Sequence, residues 1–285
     1  MRFALAMVLQ LVLTWAPPLL AQEQIPGFEI YLVDRNNPLV APQNISDHPG
    51  YDNQPAFSAT GEQIYYSRKD DGQTDIWLWQ IAGSQRQRLT RTPESEYSPT
   101  PVPEQAALSM IRVDAEQKQL LWQLDLSDGS WRQLITDMEP VGYHCWYSPG
   151  AVALFMLPEP FKLVLYANPE EQLLVAENIG RALHRHPETG ELLYVDKNQT
   201  PWKIRAFTTS REQHRYLAPL YPGGEDFTIS NDGMLWTGNG AKLYRRGAND
   251  ERWQLEADYS AYGIRNISRI AVSPDQRYLA LVSEE

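Results

Sequence analysis

The chain has 285 residues, among them 21 prolines, 17 glycines, 9 tryptophans and 15 tyrosines. No window has the period of a long amphipathic helix, so this aromatic and turn-rich composition favours an all-β fold. The formal net charge of −11 argues against nucleic acid and anionic membrane surfaces as partners. Cys145 is the only cysteine, so no intrachain disulfide can form, and we expect its thiol to be a small buried group rather than a nucleophile.

Residues 1–21 have the form of a secretory signal peptide. Arg2 supplies a positive charge, residues 3–13 form an apolar core, and Ala21 is the predicted last residue before cleavage. This apolar run is shorter than the roughly 20 residues that span a bilayer, which favours cleavage over a retained anchor. We therefore expect a periplasmic protein without stable membrane insertion. Its mature part, residues 22–285, is expected to be a single domain and a monomer.

Residues 54–90 predict one four-stranded antiparallel meander, because short alternating stretches are separated by the turns SATG and DDG. The same unit recurs at intervals of about 43 residues, and repeats of this length are typical of propellers and solenoids. Each unit has an anchor residue before its first turn, and the six anchors are Phe57, Val102, Tyr147 (or Trp146), His186, Ile229 and Val272. Second strands such as IYYS and YLALV, and third strands such as DIWLWQI and KLVLYA, follow these anchors.

The sixth unit ends after two strands, and the missing half is found at the start of the chain. Residues 28–33 (FEIYLV), a turn at 34–38 and residues 39–45 have the form of a third and a fourth strand. Pairing of these strands with the last unit would close a ring and leave no open edge between the first and last units. The sequence therefore predicts an all-β, six-bladed β-propeller of four-stranded antiparallel blades, in which the N-terminal strands complete the C-terminal blade.

The units PAFSATGEQIYYS and IAVSPDQRYLALV resemble the P-x-F-S-P-D-G-x-x-I-A-F repeat of TolB-like propellers, a WD40-like repeat family. The third-strand DIW and the Arg-Leu-Thr that ends the fourth strand belong to the same pattern. The resemblance covers the chain from about residue 27 to its end. Within this range the sequence looks like an exported branch of that family. It implies the propeller fold, while the function has to be argued from individual residues.

Propellers bind ligands at the central channel and its rim, so the loops that enter the first strand of each blade carry the candidate ligand-binding residues. These are Asp52, Asn53, Glu96, Tyr97, Tyr143, His144, Arg181, His184, Glu225, Asp226 and Arg269. Arg181 and Arg269 could clamp a carboxylate, and the acidic members could accept an amine or coordinate a cation. The alternative is that these polar loops only meet solvent or join neighbouring blades by ion pairs.

The histidines His144, His184 and His186 suggest a divalent metal site. Alternating residues of a strand point to the same face, so His184 and His186 could both face the channel. A third histidine from the adjacent blade would suit zinc, manganese or copper. Such a pair is more often a set of hydrogen-bonded or packed side chains, so no cofactor is predicted and a metal stays an alternative.

The predicted function is that of a binding or protein-interaction module, which takes a protein segment, a peptide or a small ligand at the channel mouth. The alternative is a metal-assisted hydrolase or lyase that uses a cluster of histidines and carboxylates at the rim. Lactonases and uronate lyases are built on similar propellers, although neither family's pattern is matched here, and no G-x-S-x-G or H-E-x-x-H motif is present. A purely structural envelope scaffold is the third possibility.

Overall fold

The computed structural model describes residues 27–284, and in this range 24 strands form six antiparallel sheets of four strands each. The predicted six-bladed β-propeller is confirmed. The predicted signal peptide, residues 1–21, lies outside the described residues. Within residues 27–284, none of the helices has the length and apolar character needed to cross a membrane.

Each blade is a meander of four sequential strands, except the last, which combines both ends of the chain. In chain order the strands are β1 (Phe28–Asp34), β2 (Gln43–Asn44), β3 (Asp52–Phe57), β4 (Gln63–Asp70), β5 (Gln73–Gln80), β6 (Gln85–Arg88), β7 (Ser95–Pro101), β8 (Ala107–Val113), β9 (Gln119–Asp125), β10 (Trp131–Gln133), β11 (Val141–Ser148), β12 (Ala151–Met156), β13 (Lys162–Asn168), β14 (Glu171–Glu177), β15 (Ile179–Arg185), β16 (Leu192–Asp196), β17 (Lys203–Thr208), β18 (Gln213–Pro219), β19 (Thr228–Ile229), β20 (Leu235–Asn239), β21 (Lys242–Arg246), β22 (Gln254–Asp258), β23 (Ile267–Val272) and β24 (Tyr278–Glu284). Blades 1 to 5 are β3–β6, β7–β10, β11–β14, β15–β18 and β19–β22, and blade 6 has the order β23-β24-β1-β2. Two short 3₁₀ helices, Thr209–Arg211 and Ser260–Tyr262, lie in connections.

The ring closes in blade 6, where β1 pairs with β24 along its whole length, from Phe28 opposite Glu284 to Asp34 opposite Tyr278. The fourth strand of this blade was predicted over residues 39–45, and this prediction is wrong in extent because only Gln43–Asn44 form β2. The preceding Leu39 is 96% exposed. Prolines at positions 38 and 42 have no N–H to donate to a strand ladder, which explains why pairing begins late.

The apolar core lies between the blades, and each of the six interfaces between consecutive blades has one cluster of buried residues. At the ring closure, Ile30 and Val282 of blade 6 pack with Ile64 and Tyr66 of blade 1. The alternation of each strand supplies one apolar face to each neighbouring blade, because successive side chains point to opposite faces of a sheet. The core therefore fixes the first strands of all blades around one axis.

Candidate functional site

The candidate site is the channel mouth, which we define as the end of the channel where the first strands of the blades begin. The pairing of β3, β7, β11, β15 and β23 with their second strands shifts register near that end. Such bulges bend a strand and re-aim its side chains. Gln54 and Ser98, at the bulges of blades 1 and 2, have φ angles of 58° and 57°, which are uncommon for residues other than glycine. The backbone at the mouth is thus irregular in a repeated way.

A cavity of about 150 Å³ lies at the centre of the mouth. Six of the predicted rim residues contribute to its lining, namely Tyr143, His144, Arg181, His184, Asp226 and Arg269. They come from blades 3, 4, 5 and 6, so the structure brings together residues that are far apart in the sequence. Blades 1 and 2 contribute Gln54 and Ser98, which the sequence reasoning missed.

Two arginines of this cavity share one carboxylate. Nε of Arg181 lies 3.9 Å from Oδ2 of Asp226, and Nη1 of Arg269 lies 4.0 Å from the same oxygen. Both distances exceed the 2.7–2.9 Å of a charge-assisted hydrogen bond. Asp226 Oδ1 accepts a hydrogen bond from the backbone N–H of Phe227 at 2.9 Å. The pair of guanidinium groups is therefore only partly neutralised by the protein.

The remaining contacts of the two arginines differ, because Arg181 has an unpartnered N–H group and Arg269 has a side-chain hydrogen bond to Tyr143. Arg181 donates from Nη2 to the carbonyl oxygen of Ser268 at 2.8 Å, and its buried Nε has no hydrogen-bond partner. The guanidinium carbon of Arg269 lies 4.8 Å from the ring centre of Tyr143, a cation–π contact that holds it over the ring face. Arg269 has a side chain that is 15% exposed. Buried guanidinium donors without full partners are suited to bind an anion.

The histidine His144 is neutral and fixed by its neighbours. Its Nε2 lies 2.7 Å from Oγ of Ser109, which itself donates to the carbonyl oxygen of Thr100. Nε2 either donates to Oγ of Ser109 or accepts its hydroxyl proton, depending on the tautomer, and the buried Nδ1 has no hydrogen-bond partner. Burial lowers the pKa of His144 to about 3. The ring therefore adds no positive charge to the cavity.

The second histidine of the cavity, His184, is held in the same way. Its Nε2 donates to the carbonyl oxygen of Phe227 at 2.7 Å. Burial lowers the pKa of His184, and the nearby Asp226 carboxylate opposes this shift only partly. The electrostatic character of the mouth is thus set by the two arginines and Asp226.

The predicted set of three histidines does not come together. His186 follows the end of β15, and its Nδ1 accepts hydrogen bonds from the backbone N–H groups of Glu188 and Thr189 at 3.3 and 3.4 Å, so it shapes a turn at the far end of the strand. In the part of the chain that the structure describes, no three His, Cys, Asp or Glu side chains are grouped as potential metal ligands. His184 and His186 could both have faced the channel if strand-like, but only His184 lines the central cavity, because the ring of His186 bonds to the backbone of the turn after β15.

Asp52 lies outside this cavity in an ion pair within blade 1. Arg68 stands directly opposite it on β4, and Nε of Arg68 donates to Oδ1 of Asp52 at 2.9 Å. The guanidinium also lies 4.7 Å from the ring centre of Trp77 on β5. Burial raises the pKa of Asp52 to about 7 although Arg68 opposes the shift.

Glu96 occupies the same position in blade 2 and has the same kind of partner. It stands opposite Arg112 of β8, with Nε of Arg112 3.8 Å from Oε1, and it accepts hydrogen bonds from the hydroxyls of Thr90 and Thr92. Arg112 also faces the ring of Trp122 at 4.9 Å. Two blades therefore repeat a carboxylate–arginine–tryptophan row across their first three strands. In these two blades the buried carboxyl group faces an arginine of its own blade and does not line the central cavity.

The remaining rim residues fall into two groups. The hydroxyl of Tyr97 accepts a hydrogen bond from Thr74 of blade 1 at 3.1 Å, which joins blades 1 and 2. Asn53 and Glu225 line a second cavity of about 350 Å³ beside the mouth, and Arg181 contributes to both cavities. This second cavity also contains Phe28 and Asn266, which the sequence reasoning did not select.

No protein-family model matches the chain, and no curated protein matches it either. Several solved structures match the chain in fold. A putative TolB from Agrobacterium tumefaciens has a TM-score of 0.73 at 11% identity, over 92% of this chain and 99% of that chain. The fold is that of the TolB-like six-bladed β-propellers.

Other structures with this fold carry enzyme names. A gluconolactonase from Xanthomonas campestris has a TM-score of 0.61 at 12% identity, over 82% of this chain and 86% of that chain. An oligogalacturonate lyase in complex with manganese has a TM-score of 0.59 at 14% identity, over 86% of this chain and 80% of that chain. At such identities the similarity concerns the fold alone, and the function of this chain has to be argued from its site.

Proposed function

We propose that this protein is an exported, periplasmic binding module whose channel mouth takes a carboxylate-bearing ligand, in particular a segment of a peptide or a protein. The observation that supports the proposal is the pair Arg181 and Arg269 in one small cavity, where both lie near the carboxylate of Asp226. Export is supported by the signal-peptide form of residues 1–21.

A ligand carboxylate would complete the charge balance of the mouth. Burying a cation without a close partner is costly, and a second carboxylate would give each arginine an anionic partner. The planar guanidinium group offers N–H donors in a fork that matches the two oxygens of a carboxylate. Asp226 in turn keeps the two like charges together in the free protein.

The size of the central cavity indicates how much of the ligand it holds. Its volume of about 150 Å³ is below the roughly 300–1,000 Å³ of pockets that enclose whole small molecules. The cavity therefore suits one terminal group of a longer ligand, while the rest of that ligand lies across the mouth. A flexible chain that ends in a carboxylate has this form.

The enzyme alternative has less support from the residues. Two of the structures that share the fold are named as a lyase and a lactonase. In this chain, however, His144 and His184 use their Nε2 atoms in hydrogen bonds to the protein, and the described residues contain no grouped set of metal-ligating side chains. Binding is the function that the geometry supports best.

The binding proposal can be tested with two N-acetylated hexapeptide libraries that differ only at the C-terminus, one with a free carboxylate and one with an amide. We expect the purified protein to retain peptides of the carboxylate library, and Arg269→Gln to abolish the preference. Arg211→Gln is the matched control, because Arg211 is exposed in the connection between β17 and β18, away from the mouth. Equal retention of both libraries by the unsubstituted protein would overturn the proposal. Mass spectrometry of the protein from a periplasmic fraction tests export and the cleavage after Ala21.

A further inference from the structure

A third cavity on the same face of the propeller extends the channel mouth outward. It has a volume of about 370 Å³ and lies between the β16–β17 turn and the β18–β19 connection. Its lining is mainly apolar and includes Pro201, Trp202, Leu220, Tyr221 and Pro222. We call it the Trp202–Tyr221 cleft. None of these residues was selected from the sequence as a rim residue.

The cleft and the channel mouth both adjoin the second cavity and share lining residues with it. Gly223, Gly224 and Glu225 line both the cleft and the cavity of about 350 Å³, and Arg181 lines both that cavity and the central one. A path therefore runs from the arginine pair, past Glu225, to Trp202.

The walls of the cleft are fixed before any ligand binds. The N–H of Gly224 donates to the carbonyl oxygen of Tyr221 at 2.9 Å, with Pro222 and Gly223 between them. A proline in second position and a glycine at a φ of +82° in third position are the residues of a type II turn. Nδ2 of Asn239 donates to the carbonyl oxygen of Pro222 at 3.1 Å, and the N–H of Leu220 donates to the carbonyl oxygen of Trp202 at 2.8 Å.

Aromatic contacts hold the two large rings of the cleft. Tyr221 stacks on Tyr244 with ring centres 4.0 Å apart, and Trp253 meets its edge at 6.5 Å. Nζ of Lys197 lies 4.2 Å from the ring centre of Trp202. A half-buried tryptophan beside a fixed tyrosine offers contact area to an apolar side chain, and these rings lose little conformational entropy when it binds.

We propose that the Trp202–Tyr221 cleft is a second subsite of the channel mouth, which holds an aromatic or branched apolar side chain of an extended peptide whose terminal carboxylate lies at Arg181 and Arg269. The proposal rests on the proposed function of the mouth and adds the chemistry of the partner. The ligand is thus a C-terminal peptide segment with one apolar side chain upstream of its carboxylate.

The distribution of charge favours a peptide over a polyanion such as an oligouronate. The two cations that face the central cavity are at one end of the path, whereas Glu225 and Glu284 line the second cavity. A ligand with a carboxylate on every unit would place negative charge beside these two glutamates, which costs energy. A peptide has one terminal carboxylate, and its main-chain groups can bond to the amides of Asn53 and Asn266 in the second cavity.

The experiment uses the carboxylate hexapeptide library on the intact protein and reads the residue preference at each position. We expect enrichment of Trp, Phe, Leu or Ile at one upstream position. Replacing that residue by glycine, or Trp202→Ala in the protein, is expected to weaken binding about tenfold, and the two changes together should cost little more than either alone. Tyr216→Ala is the control, because Tyr216 is an exposed aromatic residue on the outer strand β18.

A second measurement does not depend on how a variant folds. A peptide with a photoreactive benzoylphenylalanine at the enriched position is irradiated with the unsubstituted protein, and the crosslink is mapped by mass spectrometry. A crosslink in residues 200–202 or 220–222 supports the subsite. Carboxylate-dependent binding without any apolar preference, or with crosslinks elsewhere, would overturn the subsite and leave the proposed function standing. If the protein retains neither library, both the subsite and the proposed function are overturned. Binding of an oligouronate in place of peptides would overturn the peptide as the occupant.

Discussion

Replacement of Glu96 by glutamine is expected to change how the stability of the propeller depends on pH. Glu96 is completely buried, and burial raises the pKa of its carboxyl group to about 7 from a usual value of 4.5, while the hydroxyls of Thr92 and Thr90 oppose the shift. Between these two pH values the folded protein keeps a proton on Glu96 that the unfolded chain releases. The stabilisation from this proton is complete below about pH 4.5 and is lost as the pH rises through about 7.

The size of the effect follows from the shift. At 1.36 kcal/mol per pKa unit, the change from 4.5 to about 7 corresponds to about 3 kcal/mol of unfolding free energy between pH 4.5 and pH 8. Glutamine cannot ionise, so Glu96→Gln lacks this component while every other titrating group is unchanged. The difference in unfolding free energy, unsubstituted protein minus variant, should therefore fall by about 3 kcal/mol over this pH range.

The assay is urea denaturation of both proteins at several pH values from 4.5 to 8, with the free energies obtained by linear extrapolation. Glu170→Gln is the control, because Glu170 is an exposed glutamate in a turn of blade 3. Parallel curves for the unsubstituted protein and Glu96→Gln would refute the reasoning. That result would mean that Arg112 keeps Glu96 ionised throughout, despite a distance of 3.8 Å between Nε and Oε1.

Two further predictions concern the packing of the ring. In Gly238→Ala, the new Cβ would lie 2.5 Å from Cγ2 and 2.7 Å from the carbonyl oxygen of Ile267 on the next blade. The free energy of unfolding, measured by thermal denaturation, should therefore fall by at least about 2 kcal/mol. Gly150→Ala is the control and should be nearly neutral, because its Cβ would have no atom within 4 Å. A loss in Gly238→Ala no larger than in Gly150→Ala would contradict the close approach of the blades. In Ile30→Ala, the loss of a fully buried side chain at the ring closure should cost about 2–5 kcal/mol in urea denaturation, against almost nothing for Leu39→Ala at an exposed position. Equal effects at these two positions would contradict the pairing of β1 with β24.

The fold could be predicted because it is repeated in the sequence. Alternating strands, glycine-containing turns and a near-constant interval all indicate the same blade, and the incomplete last unit indicated how the ring closes. The fourth strand of blade 6 was predicted too long. Leu39 and Val40 look like strand residues, but both are exposed, and the prolines around them interrupt the ladder. The apolar character of Leu39 and Val40 alone did not reveal that these two residues do not pair with β1.

Six of the residues selected from the sequence line the central cavity, and their role in binding stays a prediction. They meet there because every first strand begins at the mouth, although the loops that precede these strands are far apart in the sequence. Whether an acidic side chain there faces the channel depends on the residue opposite it on the second strand. Asp52 and Glu96 are paired with Arg68 and Arg112 by the sheet register, and this pairing is visible only when the two strands are aligned. Asp226, which precedes the two-residue strand β19, faces the arginines instead.

The residues of the Trp202–Tyr221 cleft were missed for a different reason. One wall lies at the start of the β18–β19 connection, before the part of that loop nearest the channel, and its signal is a turn sequence, Tyr-Pro-Gly-Gly at 221–224, followed by Glu225. Such a sequence predicts a type II turn but gives no indication that it faces another loop. The tryptophan on the opposite side comes from the turn before β17, about 20 residues earlier in the chain.

The central claim is that Arg181 and Arg269 bind a ligand carboxylate at the channel mouth. The most direct test is calorimetry with the most enriched hexapeptide of the carboxylate library, measured in its acid and amide forms against the unsubstituted protein and Arg269→Gln. We expect the acid to bind the unsubstituted protein at least about tenfold more tightly than the amide, as for a charge-assisted pair, and Arg269→Gln to remove this difference. Equal affinities of the acid and the amide for the unsubstituted protein would contradict the central claim.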